Sequence, residues 1–371
     1  MKEIPFARPY FSEHDIDWIT KALRDILSSG WLTNAKYVAE LEKKVCEYTG
    51  AKYAVAMNSC TAALHALMMA LRVKPGDEII VPANTFVSTA NAPLYLGAKP
   101  IFADVDIDTY NISPESIQEK ITPRSRGIIV VHVGGNPCDM KEILEIAEDH
   151  NLFVIEDAAH ALGSLYQGKH CGTLGLAGAY SLYPTKVITG GEGGIIVTND
   201  RELYSRLRVI RNCGRETLGA ADIIEIGHNF RMTECSAVLA LAQFTHIEEF
   251  ILYRNKIAEA YNSALRKFDW IETQTIKYGN RSAYYAYIIL LDEDAPVTRD
   301  ELKKKFQEKG IGTSIIYKPV HLQPIYRKLF GYKPGMLPNA EYIGNNNLAL
   351  PLYNNMPIET VDIVTRVLED I

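Results

Sequence analysis

Five short apolar runs, separated by residues at helical spacing, constrain this chain more than any other feature. They are YAVAM (53–57), EIIVP (78–82), KPIFA (99–103), GIIVV (127–131) and LFVIE (152–156). Several are apolar on both faces, as strands of a sheet covered on both sides should be. Helical segments near 61–72, 86–96, 113–120 and 139–150 separate them. This alternation predicts an α/β domain with a mainly parallel sheet. GAYSLY (178–183) and GGIIVTND (193–200) read as two further strands around a loop.

The flanks have a different character. Ser12 reads as a helix N-cap, Ile16, Ile19, Leu23, Ile26 and Leu27 follow at helical spacing, and Gly30 ends the run. Val38, Leu41, Val45 and Tyr48 mark a second amphipathic helix that stops at Gly50. One long helical stretch is expected from about Thr233 to Leu265. A polar patch, the apolar run YYAYIILL (284–291), a helix near 298–309 and a Pro-rich segment come after it. The expected organisation is a large domain over 1–245 and a smaller C-terminal α+β domain over 246–371. At 371 residues the chain is long enough for two such units.

The formal charge of −6, from 39 basic and 45 acidic residues, argues against broad nucleic-acid binding, which needs many phosphate-neutralising cations. It leaves room for a small phosphorylated ligand in a local pocket. MKEIPFARPYF lacks the apolar core of a secretory signal, and residues 54–71 are too interrupted by polar groups to span a bilayer. Six cysteines without a C-x-x-C pattern fit reduced thiols in a cytoplasmic protein. His170–Cys171 falls short of the four ligands of a structural zinc site, so no metal is expected.

Open α/β sheets bind ligands beyond the carboxyl ends of their strands. The residues there are therefore the ones to weigh. After YAVAM comes Asn58-Ser59-Cys60-Thr61 and then a helix, a turn that suits a phosphate and equally suits a plain N-cap. After LFVIE comes Asp157, which fits a Walker-B carboxylate, a partner for a protonated heterocycle, or a carboxylate satisfied by nearby N–H groups. No G-x-x-x-x-G-K-[ST] accompanies it, which disfavours a nucleotide triphosphatase. Lys186 follows an apolar strand and Pro184 and precedes Gly190, Gly191, Gly193 and Gly194, a run expected to let backbone approach a ligand. Most lysines are solvated surface charges, but one placed at such a site is a competent nucleophile toward carbonyls.

The order of these elements, together with SGWLTNAKYVAELE (29–42), NSCTAAL (58–64), GDEIIVPANTFVSTANAPLYLGAKPIFADVD (76–106), IEDAAHALGS (155–164), GHNFRMTE (227–234) and NAEYIGNNNLALPLY (339–353), resembles the DegT/DnrJ/EryC1/StrS sugar aminotransferases. The resemblance spans nearly the whole chain. It implies an aspartate-aminotransferase-like large domain (fold type I) and pyridoxal 5′-phosphate (PLP) as cofactor. It implies that Lys186 holds the cofactor as a Schiff base and that Asp157 pairs with its ring nitrogen. His160 would lie near the phenolic oxygen, where many relatives have Gln. Phe86 would stack on the ring. Cys60, Thr61 and Ser181 would bind the phosphate, and Asn229 would reach it from a neighbouring subunit of a homodimer with shared sites. Val187 and Cys60 depart from the commoner Asn and a smaller residue.

Such enzymes move an amino group from an amino acid, commonly glutamate, to a nucleotide-linked ketosugar in a ping-pong scheme. TGGEGG (189–194) is closer to relatives that aminate C4 than to those acting at C3, which more often carry a GDGG-like stretch. Tyr317 and His321 resemble substrate-facing positions, with packing in a Pro-rich loop as the alternative. Sugar dehydratases of this family replace the Lys with His, and a non-catalytic member would have signalled itself by losing Lys186 or Asp157. A Rossmann dehydrogenase would need G-x-G-x-x-G where NSCTAAL stands.

Overall fold

The structure, a computed structural model, describes residues 3–217 and 219–371. The large sheet is built from strands β1 (Tyr53–Met57), β2 (Glu78–Pro82), β3 (Lys99–Ala103), β4 (Ser125–Val131) and β5 (Phe153–Asp157). A short hairpin of β6 (Leu165–Tyr166) and β7 (Lys169–His170) follows, and then β8 (Ala177–Ser181) and β9 (Gly194–Thr198) complete the sheet. Its order is β1-β9-β8-β5-β4-β2-β3. Neighbours from β3 to β8 pair parallel, and β9 runs antiparallel to both β1 and β8.

Side chains alternate across this sheet, and both faces are buried. Val55, Met57, Ile79, Val81, Ile129, Val131 and Ile196 join one core cluster. Ala54, Ala56, Ile195 and Val197 face a second, and Ile80, Ile128 and Val130 a third. The continuous apolar runs in the sequence reflect this double covering.

Helix α1 (Glu13–Ser29) starts at a capping box: Ser12 Oγ accepts the Asp15 N–H, and Asp15 Oδ2 accepts the Ser12 N–H at 2.8 Å. It ends at Gly30 with φ 73°. Helix α2 (Lys36–Thr49) has Ala35 at its N-cap, which offers no side-chain acceptor. Glu234, distant in sequence and buried, takes that role. Its carboxylate accepts the N–H groups of Ala35 (2.7 Å), Tyr37 (2.6 Å) and Val38 (3.2 Å).

The single helical stretch expected from Thr233 to Leu265 is instead two helices, Glu234–Phe244 and Ile247–Leu265, which meet at 62°. Thr245 donates its hydroxyl to the Ala242 carbonyl, and His246 leaves helical backbone at φ −106°, ψ 8°. The bend has a packing cause. The first helix lies in the core of the large sheet, whereas Ile257, Ala258, Tyr261 and Leu265 of the second belong to the core of a small sheet. That sheet is antiparallel and comprises β10 (Ile271–Thr273), β11 (Tyr287–Leu291) and β12 (Asn347–Leu350). Ile4 pairs with Ile311, so the start of the chain lies against the C-terminal unit, across the boundary read from sequence. No single helix among the described residues is long and apolar enough to cross a membrane.

Removing the Glu234 carboxylate strands three helix-start N–H groups in the interior. Glu234→Ala should therefore cost about 2–4 kcal/mol in urea unfolding. A loss below about 0.5 kcal/mol would show that water replaces the carboxylate.

Candidate active site

Strands β1, β2, β4, β5 and β8 run in one direction, so their carboxyl ends share an edge of the sheet, and antiparallel β9 brings its first residue there. Asp157, the last residue of β5, is 4% exposed. Its Oδ2 accepts the Thr89 hydroxyl at 2.6 Å and its Oδ1 the Ala159 N–H at 3.2 Å. Burial pushes its carboxyl pKa up, while the Thr89 hydroxyl, the Ala159 N–H and the positive charge of Lys186 pull the other way.

Lys186 is half-buried in the turn beyond β8, where its N–H donates to the Tyr183 carbonyl. Its ammonium lies 4.0 Å from the ring centroid of Tyr285. His160 stacks on the same ring at 3.9 Å and 17°. The Nδ1 of His160 accepts the Gly134 N–H at 3.3 Å, which leaves the proton on Nε2 to be donated to the Tyr317 oxygen at 2.9 Å. Burial, reinforced by Lys186, pushes the His160 pKa well below 6.5, in agreement with a neutral ring.

The turn after β1 is also a cap. Ser59 Oγ accepts the Ala62 N–H at the start of helix α3 (Cys60–Ala70). Helix geometry leaves the N–H groups of Cys60 and Thr61 without intrahelical acceptors. Thr61 Oγ1 lies 2.7 Å from Ser88 Oγ, and burial pushes the Cys60 thiol well up. Ser181 shares a small cavity with His160, Lys186 and Tyr285.

Two glycines of the run pack closely on the protein itself. A Cβ on Gly190 would meet the Ser236 carbonyl oxygen at 2.7 Å, and one on Gly194 would meet Ser59 and Cys60 backbone at 2.5–2.6 Å. These glycines approach the protein's own backbone, and Gly194 does so directly beneath the α3 start.

The remaining residues divide. Phe86 is exposed and 5.9 Å from the Tyr317 ring, and the backbone N–H of Tyr317 donates to Asn84 Oδ1 at 2.9 Å. Tyr317 therefore joins the cluster. His321 does not: it has no exposed surface, its Nε2 lies 3.2 Å from Glu341 Oε1, and its ring packs beside Phe102 and Tyr332. Asn229 is exposed, and its carbonyl accepts the Asn58 side-chain N–H at 3.3 Å. It does not cap the following helix, because Thr233 Oγ1 accepts the Ser236 N–H there. Thr89 and Tyr285 were not singled out in the sequence. Thr89 stands three residues beyond Phe86 in the same motif, whereas Tyr285 lies in an apolar run about 100 positions from Lys186 and carries no local signal.

Comparison with known proteins places this geometry. The model of the DegT/DnrJ/EryC1/StrS aminotransferase family matches residues 14–369. The chain is 38% identical over 380 residues to the spore coat polysaccharide biosynthesis protein SpsC of Bacillus subtilis, covering 99% of this chain and 97% of SpsC. The PLP form of the putative sugar aminotransferase Spr1654 from Streptococcus pneumoniae superposes with TM-score 0.92 at 27% identity, covering 99% of each chain. DesI, solved in the presence of its TDP-sugar product, superposes with TM-score 0.91 at 28% identity, covering 99% of this chain and 92% of that one.

The His160 environment makes a direct claim. Nitrogen-detected NMR should find its Nδ1 unprotonated and its Nε2 protonated, with no titration between about pH 5.5 and 8. A midpoint near pH ~6.5 with both nitrogens converging would contradict the assigned tautomer.

Proposed function

We propose that this chain, which belongs to the DegT/DnrJ/EryC1/StrS aminotransferase family, uses pyridoxal 5′-phosphate to move an amino group from an amino acid, glutamate by preference, to C4 of a nucleotide-linked ketosugar. One observation carries the reading: a buried carboxylate, Asp157, and an amine, Lys186, converge at the sheet edge where α3 begins.

The residues present fit the cofactor. Asp157 offers a negative charge to a ring nitrogen, Lys186 an amine to an aldehyde, and the α3 start N–H groups to a phosphate. Gly194 keeps that helix start clear of a side chain that would displace it. When bound, PLP supplies the electron sink for charge developing at the donor's α-carbon. Asp157 holds the proton of the ring nitrogen, which an amide could not do by charge. With the cofactor bound, the Nζ of Lys186 would take the proton from the donor's α-carbon and deliver it to the cofactor's former aldehyde carbon, and in the second half-reaction would carry a proton from that carbon to the acceptor carbon that receives the amine. Phe86 would stack on the ring and His160 would lie near its phenolic oxygen, with the His160 proton on Nε2 directed to the Tyr317 hydroxyl. Cys60, Thr61 and Ser181 hold the phosphate.

A sugar acceptor is supported by the naming of SpsC for polysaccharide biosynthesis and of DesI with its TDP-sugar product. TGGEGG favours C4 over C3, and Lys186 opposes a dehydratase. A homodimer is supported by the exposed apolar side chains of Leu27, Trp31, Leu32, Ile223, Ile224 and Ile226, which association with a second copy would cover. In that dimer Asn229 would reach the partner's phosphate.

Incubating the protein with PLP, glutamate and a panel of 3-keto and 4-keto nucleotide sugars tests the reaction. The expected product carries its amine at C4 by mass spectrometry and NMR. Lys186→Ala should fold and give no turnover, and Asp157→Asn should lose roughly 100-fold or more. Full turnover by Lys186→Ala without added amines would end the assignment. Sharing of sites is tested by refolding Lys186→Ala together with an Asn229→Trp variant. About a quarter of parental activity should return, because half the dimers are mixed and half of their sites are intact. No return of activity, with mixed dimers confirmed by mass, would mean each subunit completes its own site.

A further inference from the structure

Arg254 lies in the helix Ile247–Leu265 and is 1% exposed. Its Nε donates to Asn354 Oδ1 at 2.7 Å and its Nη1 to the Tyr284 carbonyl at 2.9 Å. Longer contacts of 3.5 Å reach the carbonyls of Tyr285 and Leu352. Among the described residues no carboxylate pairs with it. Burial lowers its pKa to about 10, so it remains a cation at neutral pH. A buried charge without a counter-ion is expensive, and an apolar side chain of similar volume would pack the same space more cheaply. The acceptors gathered around this guanidinium therefore call for an explanation beyond packing.

Two of its tethers lead to Lys186. Asn354, held by Arg254, donates its Nδ2–H to the carbonyl of Val187 at 2.8 Å. That carbonyl belongs to the residue directly after Lys186. The second tether is the backbone at Tyr284–Tyr285, which fixes the ring lying 4.0 Å from the Lys186 ammonium. The His160 ring stacks on Tyr285 at 3.9 Å. Both His160 and Lys186 therefore lie against the Tyr285 ring. The guanidinium is thus linked through Asn354 to the main chain beyond Lys186, and directly to the backbone that carries the Tyr285 ring.

We propose that Arg254 is a positioning residue for Lys186, acting through Asn354 on the Val187 carbonyl and through the Tyr284–Tyr285 backbone on the ring that carries the amine. The proposal rests on the reading of Lys186 as the amine that captures the cofactor's aldehyde. It makes the nucleophile's placement depend on a residue of the helix Ile247–Leu265, remote from the reacting atoms.

A structural role alone would predict lost stability without a specific effect on Lys186. Arg299 provides the comparison. It is 6% exposed and its Nη1 donates to the carbonyls of Gly344 (3.3 Å) and Asn347 (3.2 Å), with no hydrogen bond to residues 186–187. The test uses full-length protein freed of cofactor. PLP is added, samples are fixed with borohydride over time, and the modified lysine is identified by peptide mass. Unfolding midpoints are measured alongside. Arg254→Met and Asn354→Ala should each slow fixation on Lys186 by about 10-fold or more, as small displacements of a reacting group do. Arg299→Met should lose stability yet fix PLP on Lys186 within about twofold of the parent. Parental rates in folded Arg254→Met and Asn354→Ala, or equal slowing in Arg299→Met, would overturn the proposal. If Arg254→Met does not fold, Asn354→Ala decides alone, since it removes one amide and leaves the guanidinium in place. Fixation of the parent on a different lysine would remove the reading of Lys186 itself, and the proposal with it.

Discussion

Burial disfavours the charge of Asp157, and its surroundings are arranged to keep that charge available. The carboxylate ends an apolar strand at the middle of the sheet, where β4 and β8 flank it on either side. The Thr89 hydroxyl and the Ala159 N–H each donate one hydrogen bond to it, and Lys186 contributes positive charge. Such a site is only partly satisfied by the protein alone. A cation on a bound ring would complete it, whereas bulk water would make the arrangement unnecessary.

The C-terminal unit reaches into the cluster around Lys186. Tyr285 lies against both His160 and Lys186, and Tyr317 fixes the His160 tautomer. A second set of polar contacts holds the two units together. Gln274 donates to the carbonyls of Thr109 and Val133, and Asn136 donates to that of Thr275. Val133 is followed by Gly134, whose N–H is the donor to His160 Nδ1. The geometry of the site therefore depends on how the C-terminal unit is seated, and fold, docking and chemistry are linked through the same few backbone groups.

Much of this was legible in the sequence, for identifiable reasons. The runs YAVAM, EIIVP and KPIFA became strands at the expected residues because strands covered on both faces leave an uninterrupted apolar signal. Asp157 and Lys186 could be singled out because each follows such a strand. Ser12, Gly30 and Gly50 marked helix ends through local chemistry. Contacts made across long separations left no local trace. Glu234 capping α2, Tyr285 beneath Lys186 and Arg254 behind both depend on pairs of residues far apart in the chain. The bend at Thr245–His246 was hidden because both helices are apolar enough to read as one. His321 was ambiguous as a lone histidine in a Pro-rich segment, and in the structure it is packed against Glu341 and Phe102.

The pairing of the Asp157 carboxylate with a protonated ring nitrogen can be observed without turnover. Loading the protein with PLP labelled with ¹⁵N in the ring, and recording the nitrogen shift at neutral and mildly alkaline pH, reports that proton directly. A protonated nitrogen throughout this range in the parent, and an unprotonated one in Asp157→Asn, is the expected result. An unprotonated nitrogen in the parent would contradict the assignment of Asp157 as the group that holds the proton.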